Sequence, residues 1–208
     1  MTFIVAIDGP SASGKGTIAR LVAKELQWEY LNTGLLYRAV AYHAAEKQID
    51  LHDHIALIPL MHTINFDDID SLSLYSSKTS ENASIIASIP EVRQSLLHIQ
   101  RNFAIGKTGV IVEGRDIGTV IFPNADIKIY ITASLTERAA RRFKQLQSND
   151  EDAIHGSVIE DIRRRDSRDC NRQNAPLMLA SDCSVIDTTD ISVAEATDVV
   201  LKLIRDAL

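Results

Sequence analysis

Residues Phe3 to Ile7 (FIVAI) form a short, unbroken apolar run that ends at Asp8 and passes at once into Gly9–Pro–Ser–Ala–Ser–Gly14–Lys15–Gly16–Thr17. An apolar run of this length closed by a turn signal reads as a buried strand. Ile18, Leu21, Val22 and Leu26 then recur at helical spacing, which predicts a helix to about Gln27. Strand, glycine-rich turn with lysine, and helix in direct succession is the context of a phosphate-binding loop. Glycines let the backbone fold tightly and turn successive N–H groups toward phosphate oxygens. The helix N-terminus adds partial positive charge at the same place. Gly9, Pro10, Ser11, Ala12, Ser13, Gly14, Lys15, Gly16 and Thr17 are therefore expected to bind the phosphates of ATP, with Lys15 supplying full charge where it develops during transfer. The general pattern places Ser or Thr directly after the lysine. Here Gly16 intervenes, leaving Thr17 as the candidate Mg²⁺ ligand. A dinucleotide fingerprint is excluded, because Gly14 and Gly16 are followed by Ala19 where a third glycine belongs.

The rest of the chain repeats the alternation. Glu29–Leu31, Gly109–Val112, Ile127–Ile131 and Ser184–Ile186 read as further short strands, each separated from the next by helical material. Asn32 or Thr33 is a candidate N-cap for a helix through Lys47, and residues 53–63 look helical. Residues 64–82 turn polar, with helical patterning resuming near Ser84 and restarting at Pro90 to run to about Ile105. Ser134 with Glu137 and Ser192 with Glu195 have capping-box spacing. The predicted fold class is therefore α/β, a parallel sheet with helices on both faces. At 208 residues with 45% hydrophobic and 24% charged content, one globular domain with a real core is expected, and a disordered or fibrous chain is excluded. The formal charge of −6 argues against nucleic-acid polymers and anionic membranes as partners, since both require a positive surface. No apolar run approaches a membrane span, and the N-terminus carries no basic leader. Two cysteines, Cys170 and Cys183, form neither a disulfide framework nor a metal-ligand pattern. A cytoplasmic protein is expected, and nothing in the sequence demands a second copy, so a monomer is the expectation too.

What kind of phosphate-loop protein this is depends on arginine. Eight of the 14 arginines fall within residues 138–172, and acids are interspersed among them, so the segment suits a compact anion better than a polyanion. Arg165, Arg168 and Arg172 are spaced for one helix face, as are Arg138, Arg141 and Arg142. Phosphoryl transfer spreads charge over several oxygens, and fork-shaped guanidinium donors neutralise it in fixed geometry. Solvent-exposed, salt-bridged helices remain the plain alternative for any single arginine. Arg38, Arg93 and Arg115 follow other strands, and Arg115 with Asp116 would project beyond a strand's carboxyl end, where ligands of such sheets sit. No Asn-Lys-x-Asp segment is present for a GTPase. A small kinase is the preferred reading. A non-catalytic ATP-binding regulatory module stays open, as do acceptors such as UMP, AMP or a shikimate-like hydroxy acid.

GPSASGKGT (Gly9–Thr17), NTGLLYR (Asn32–Arg38), EGRDIGT (Glu113–Thr119) and RDSRDCNRQNAP (Arg165–Pro176) together resemble the bacterial cytidylate kinases, over nearly the whole chain. The resemblance implies a nucleoside-monophosphate-kinase fold, ATP-dependent phosphorylation of CMP and dCMP, and Mg²⁺ with ATP. It implies a core over 1–50 and 88–208, a monophosphate-binding insert over about 51–87 and a lid over about 145–160. It places Thr33, Arg38, Ser84, Arg93, Arg115, Asp116, Arg165, Asp169 and Arg172 around CMP. Ser84, Arg93 and Asp169 would read the base and ribose, while Arg38, Arg115 and Arg172 hold the acceptor phosphate with Asp116 alongside. Lys15, Arg115, Arg165 and Arg172 would stabilise transferring charge, and Arg138, Arg141 and Arg142 would close over ATP. A base site of this kind should reject uracil, whose hydrogen-bonding pattern is reversed at that edge. The insert reads as shorter than in the family's bacterial members, and its Asp67, Asp68 and Asp70 are read as a solvated loop.

Overall fold

A computed structural model describes residues 2–66, 73–148 and 154–208. Asp67, Asp68 and Asp70, and positions 149–153 at the middle of the expected lid, lie outside the described residues.

Five strands, β1 (Phe3–Asp8), β2 (Glu29–Asn32), β3 (Gly109–Gly114), β4 (Ile127–Thr132) and β5 (Ser184–Asp187), pair in the order β2-β3-β1-β4-β5. Every pairing is parallel, with Phe3 opposite Gly109 and Asp8 opposite Gly114 across the β1–β3 ladder. All five segments read as strands in the sequence are strands, and the expected fold class holds. The helices are α1 (Lys15–Leu26), α2 (Thr33–Glu46), α3 (His54–Met61), α4 (Ser77–Ile86), α5 (Pro90–Asn102), α6 (Leu135–Ser148), α7 (His155–Asn171) and α8 (Val193–Arg205). Val5 and Ile7 of β1 pack with Ile18 and Val22 of α1 and with Val200 and Ile204 of α8 on one face of the sheet. Ala6, Val110 and Val112 pack with Ile117 and Ile121 on the other. Both faces of the central strands are thus covered, which is why they are apolar without alternation.

Two smaller clusters stand off the sheet. Leu36, Val40, Leu57, Ile86 and Leu96 join α2, α3, α4 and α5. Ala139, Leu146, Val158 and Ile162 join α6 to α7 as a hairpin arm. α4 begins at Ser77, seven residues before the sequence pattern suggested, because Ser76 caps it by accepting from the Thr79 N–H at 3.0 Å. Its first turn is polar, and only Ala83 and Ile86 announce the buried face. Ser192 and Glu195 form the complete capping box expected for α8, whereas at Ser134 the hydroxyl accepts the Glu137 N–H at 3.3 Å.

A single π-helical turn over Ile117–Ile121, which the sequence did not announce, follows β3. Asp8, from the end of β1, accepts the N–H groups of Ile117 and Gly118 at 2.8 Å each. The turn is therefore tied to a strand more than a hundred residues away in sequence. The carboxyl ends of β1 and β3 lie side by side in the sheet's centre, so the loops that leave them open onto one place.

Candidate active site

A cleft of about 780 Å³ opens beyond those strand ends, lined by the glycine-rich loop on one side and by α2, α4, the β3 loop and α7 on the other. The loop takes its shape from residues that tolerate it. Gly9 has φ +152°, and a Cβ there would come within 2.0 Å of the Ile131 carbonyl oxygen. Gly14, at φ +88°, is the N-cap of α1. Gly16 answers a different constraint, since a Cβ there would lie 2.8 Å from Glu113 Oε1. The glycine between lysine and threonine is thus the space into which the β3 carboxylate fits. Glu113 is itself fixed by the Tyr30 hydroxyl, which donates to Oε1 at 2.6 Å.

Lys15, the first residue of α1, is buried and donates from Nζ to the Pro10 carbonyl at 2.9 Å. Burial pushes its pKa well down, and Arg115 and Arg165 add to that push. Arg165 reaches Ser11 Oγ at 3.2 Å, and burial with Arg115 and Arg38 lowers it to about 9. Arg38 lies over the Tyr75 ring at 4.6 Å and is lowered to about 10, chiefly by burial. The Nε atoms of Arg38 and Arg165 are buried with no hydrogen-bond partner among the described residues. A buried unsatisfied donor costs about 1–3 kcal/mol, more when charged, so converging cations with donors to spare describe a site shaped for an anion.

Two carboxylates organise the far side. Asp169 accepts from Arg115 Nε at 2.9 Å and from Ser84 Oγ at 3.0 Å. Burial works against its charge, but Arg115 and Arg165 outweigh it and hold the carboxyl below its ordinary range. Asp116 pairs with Arg93 through Oδ2 and with Arg172 through Oδ1, the latter at 3.3 Å. Arg93 and Arg172 also both donate to the Ala87 carbonyl at 3.3 Å, tying α5 and the end of α7 to the end of α4. The structure groups these side chains as Ser84–Asp169–Arg115 and Arg93–Asp116–Arg172. Arg93 thus stands with Arg172 beside Asp116.

Of the residues singled out in the sequence, Ser11 to Thr17, Thr33, Arg38, Ser84, Arg93, Arg115, Asp116, Arg142, Arg165, Asp169 and Arg172 all line this one cleft. Thr33 donates to the Glu113 carbonyl at 2.8 Å. Arg142 reaches across to the Tyr75 carbonyl at 3.2 Å. Arg138 and Arg141 are engaged elsewhere, on carbonyls of the phosphate loop. Arg138 donates to Ser11 O at 3.2 Å, and Arg141 donates to Ser13 O at 3.3 Å and Thr188 O at 2.7 Å. Sequence reasoning passed over Asp8, Tyr30, Glu113 and Asp166. Glu113 stood in the quoted EGRDIGT block, and the unusual Gly16 was its only other trace.

The sequence profile of the cytidylate kinase family matches residues 5–206. The chain belongs to the cytidylate kinase family. The cytidylate kinase of Paramagnetospirillum magneticum is 44% identical over 207 residues, 98% of each chain. That of Methylocella silvestris is 46% identical over 204 residues, 98% of this chain and 94% of the other. The cytidylate kinase of Colwellia psychrerythraea, 41% identical, needs 222 aligned positions to cover this chain, so length varies within the family. Among solved structures, a Sinorhizobium meliloti gluconokinase superposes with a TM-score of 0.53 at 12% identity, covering 99% of this chain and 93% of its own. Thermus thermophilus TT1252 gives 0.52 at 18%, covering 100% and 98%. At such identities the likeness concerns the fold, and it is the fold expected of a cytidylate kinase. No helix among the described residues is long and apolar enough to cross a membrane.

Proposed function

We infer that this chain transfers the γ-phosphoryl group of ATP to CMP and dCMP, giving ADP and the corresponding diphosphate. The observation that carries this reading is the convergence of Lys15, Arg38, Arg115, Arg165 and Arg172 on one cleft that also holds the Ser84–Asp169 pair. The phosphate loop, Gly9 to Thr17, takes the phosphates of ATP. The acceptor lies against α2, α4 and α7, with Arg38, Arg115 and Arg172 on its phosphate and Asp116 alongside. Ser84, Asp169 and Arg93 lie toward the base and ribose. An acceptor phosphate oxygen attacks the γ-phosphorus in line, and the bond from that phosphorus to the β,γ-bridging oxygen breaks, leaving the electron pair on ADP. No general base is required, because the acceptor phosphate is already ionised near neutral pH. Lys15, Arg115, Arg165 and Arg172 neutralise the charge that spreads over the transferring group. Arg142 closes over ATP from α6, and Arg138 and Arg141 serve the nucleotide through the loop carbonyls they hold.

Mg²⁺ fits the donors present. Thr17 and Glu113 both line the cleft, and the Glu113 carboxylate stands against Gly16 in the first turn of α1; oxygen donors of this kind suit a hard cation. Thr17 is the residue that would hold it. When bound, the ion would offset the negative charge of the phosphates. We place the enzyme in the cytoplasm as a monomer, with a core over 1–50 and 88–208, a monophosphate-binding insert over about 51–87 and a lid over about 145–160.

Incubation with ATP·Mg²⁺ and CMP, followed by chromatographic separation of nucleotides, tests the reading. CDP and ADP should accumulate in equal amounts. ADP formed without CDP would overturn it.

A further inference from the structure

Ser11 is the residue of the phosphate loop most completely held from outside the loop. Its N–H donates to Asp166 Oδ1 at 3.4 Å, its carbonyl accepts from Arg138 Nη1 at 3.2 Å, and its hydroxyl receives Arg165 Nη1 at 3.2 Å. Every polar group of this residue is therefore occupied by the α6–α7 arm. Arg138 is buried, and it also donates from Nη1 to Asp166 Oδ2 at 2.5 Å and from Nε to the Ala133 carbonyl at 3.0 Å, just past the end of β4. One guanidinium thus joins the sheet, the loop and α7, and one carboxylate closes the ring.

The register of α7 gives this ring a second consequence. Arg165, Asp166 and Asp169 occupy neighbouring positions of one helix. Arg165 lines the cleft at the phosphate loop, Asp166 holds the loop, and Asp169 holds Ser84 and Arg115. Whatever fixes Ser11 to Asp166 also fixes the distance between the donor's loop and the acceptor's side chains. The chemistry needs donor and acceptor held in line to within a fraction of an ångström, and a misplaced loop forfeits that alignment.

We propose that Asp166 and Arg138 act as a pair of positioning residues, clamping the phosphate loop at Ser11 so that it is held for ATP in register with α7. Neither needs to touch the nucleotide. The proposal rests on the kinase reading for the identity of the acceptor, but its main prediction concerns ATP alone. Removing a charged partner from a hydrogen-bonded ring leaves the other charge uncompensated and frees the loop, whereas the acceptor side keeps Asp169, Ser84 and Arg115.

The test is equilibrium titration of Asp166→Asn, Arg138→Lys and the double variant with ATP·Mg²⁺, and separately with CMP, after thermal melts establish that each is folded. Asp166→Asn should weaken ATP binding tenfold or more, Arg138→Lys by less because it keeps the charge, and CMP binding should stay within twofold of wild type in both. The double variant should lose little more than the worse single, as expected for one shared unit. An ATP dissociation constant within twofold of wild type in folded Asp166→Asn would overturn the proposal. So would an equal loss for CMP, or losses that multiply in the double variant. If Asp166→Asn does not fold, Arg138→Lys decides alone by the same ATP-against-CMP split, and failure of both to fold would mark the pair as merely structural and overturn it. ATP titration needs no acceptor, so a wild-type chain that ignores CMP would count against the kinase reading while the ATP ratios still judge the clamp.

Discussion

Lys15 and Arg172 enter the cleft from opposite ends of the chain, one as the first residue of α1 and the other as the residue that closes α7. Both are buried, and neither is needed by a hydrophobic cluster. Lys15→Ala and Arg172→Ala should each lower turnover by orders of magnitude while far-UV circular dichroism stays that of the wild type. Near-wild-type rates in either would remove that residue from the chemistry. Asp8 is the residue whose importance was least visible in the sequence, since its partners are backbone N–H groups of a turn formed by residues 117 and 118. Burial raises its carboxyl from 3.8 to about 6 despite those donors. The folded protein therefore binds the Asp8 proton more tightly than the unfolded chain. Its contribution to stability is full below the ordinary carboxylate range and is lost as pH rises through about 6. Relative to Asp8→Asn, the wild type should lose about 1 kcal/mol of unfolding free energy between pH 5 and pH 7, read by urea denaturation. A difference between the two proteins that does not change with pH would contradict this. The guanidinium groups were legible one by one from type and spacing. Their division into Ser84–Asp169–Arg115 and Arg93–Asp116–Arg172 was not, because it is decided by which elements the fold brings together.

At the scale of elements, the strands were legible because burial on both faces leaves an apolar run with nothing else to explain it. Helix starts were legible where a cap is written in the sequence. Ser192 and Glu195 satisfy each other's backbone donors, with Glu195 Oε2 accepting the Ser192 N–H at 2.8 Å and Ser192 Oγ accepting the Glu195 N–H at 3.2 Å. Ser192→Ala should cost about 1 kcal/mol of stability, measured by denaturant midpoint at unchanged slope, and leave the rate of phosphoryl transfer alone. A loss of activity at constant stability would mean that α8 does more than support the sheet. α4 was misplaced because its cap, Ser76, is one polar residue in a polar stretch, and its first turn buries little that is apolar. The π-helical turn escaped altogether, since its first N–H groups are satisfied by a carboxylate from another strand.

On the scale of the whole molecule, the α2–α5 cluster and the α6–α7 arm stand on either side of the cleft, and side chains cross between them. Glu81 of α4 pairs with Arg168 of α7 at 2.5 Å, and Arg142 of α6 reaches the Tyr75 carbonyl at 3.2 Å. The two sides of the cleft are thus joined directly as well as through the sheet. Such contacts are suited to closing both sides together and excluding water, without which ATP would be hydrolysed. The phosphate loop alone would have served many chemistries. What narrows them is the ring of arginines and carboxylates across the cleft, where we propose that Ser84 and Asp169 read a base. That claim is tested most directly by ADP release from ATP·Mg²⁺ with CMP, dCMP, UMP, AMP, GMP and shikimate offered singly as acceptors. Rapid release with CMP and dCMP and little with the others is the predicted result. Release that is equally fast with UMP or AMP, or that does not depend on any acceptor, would contradict it.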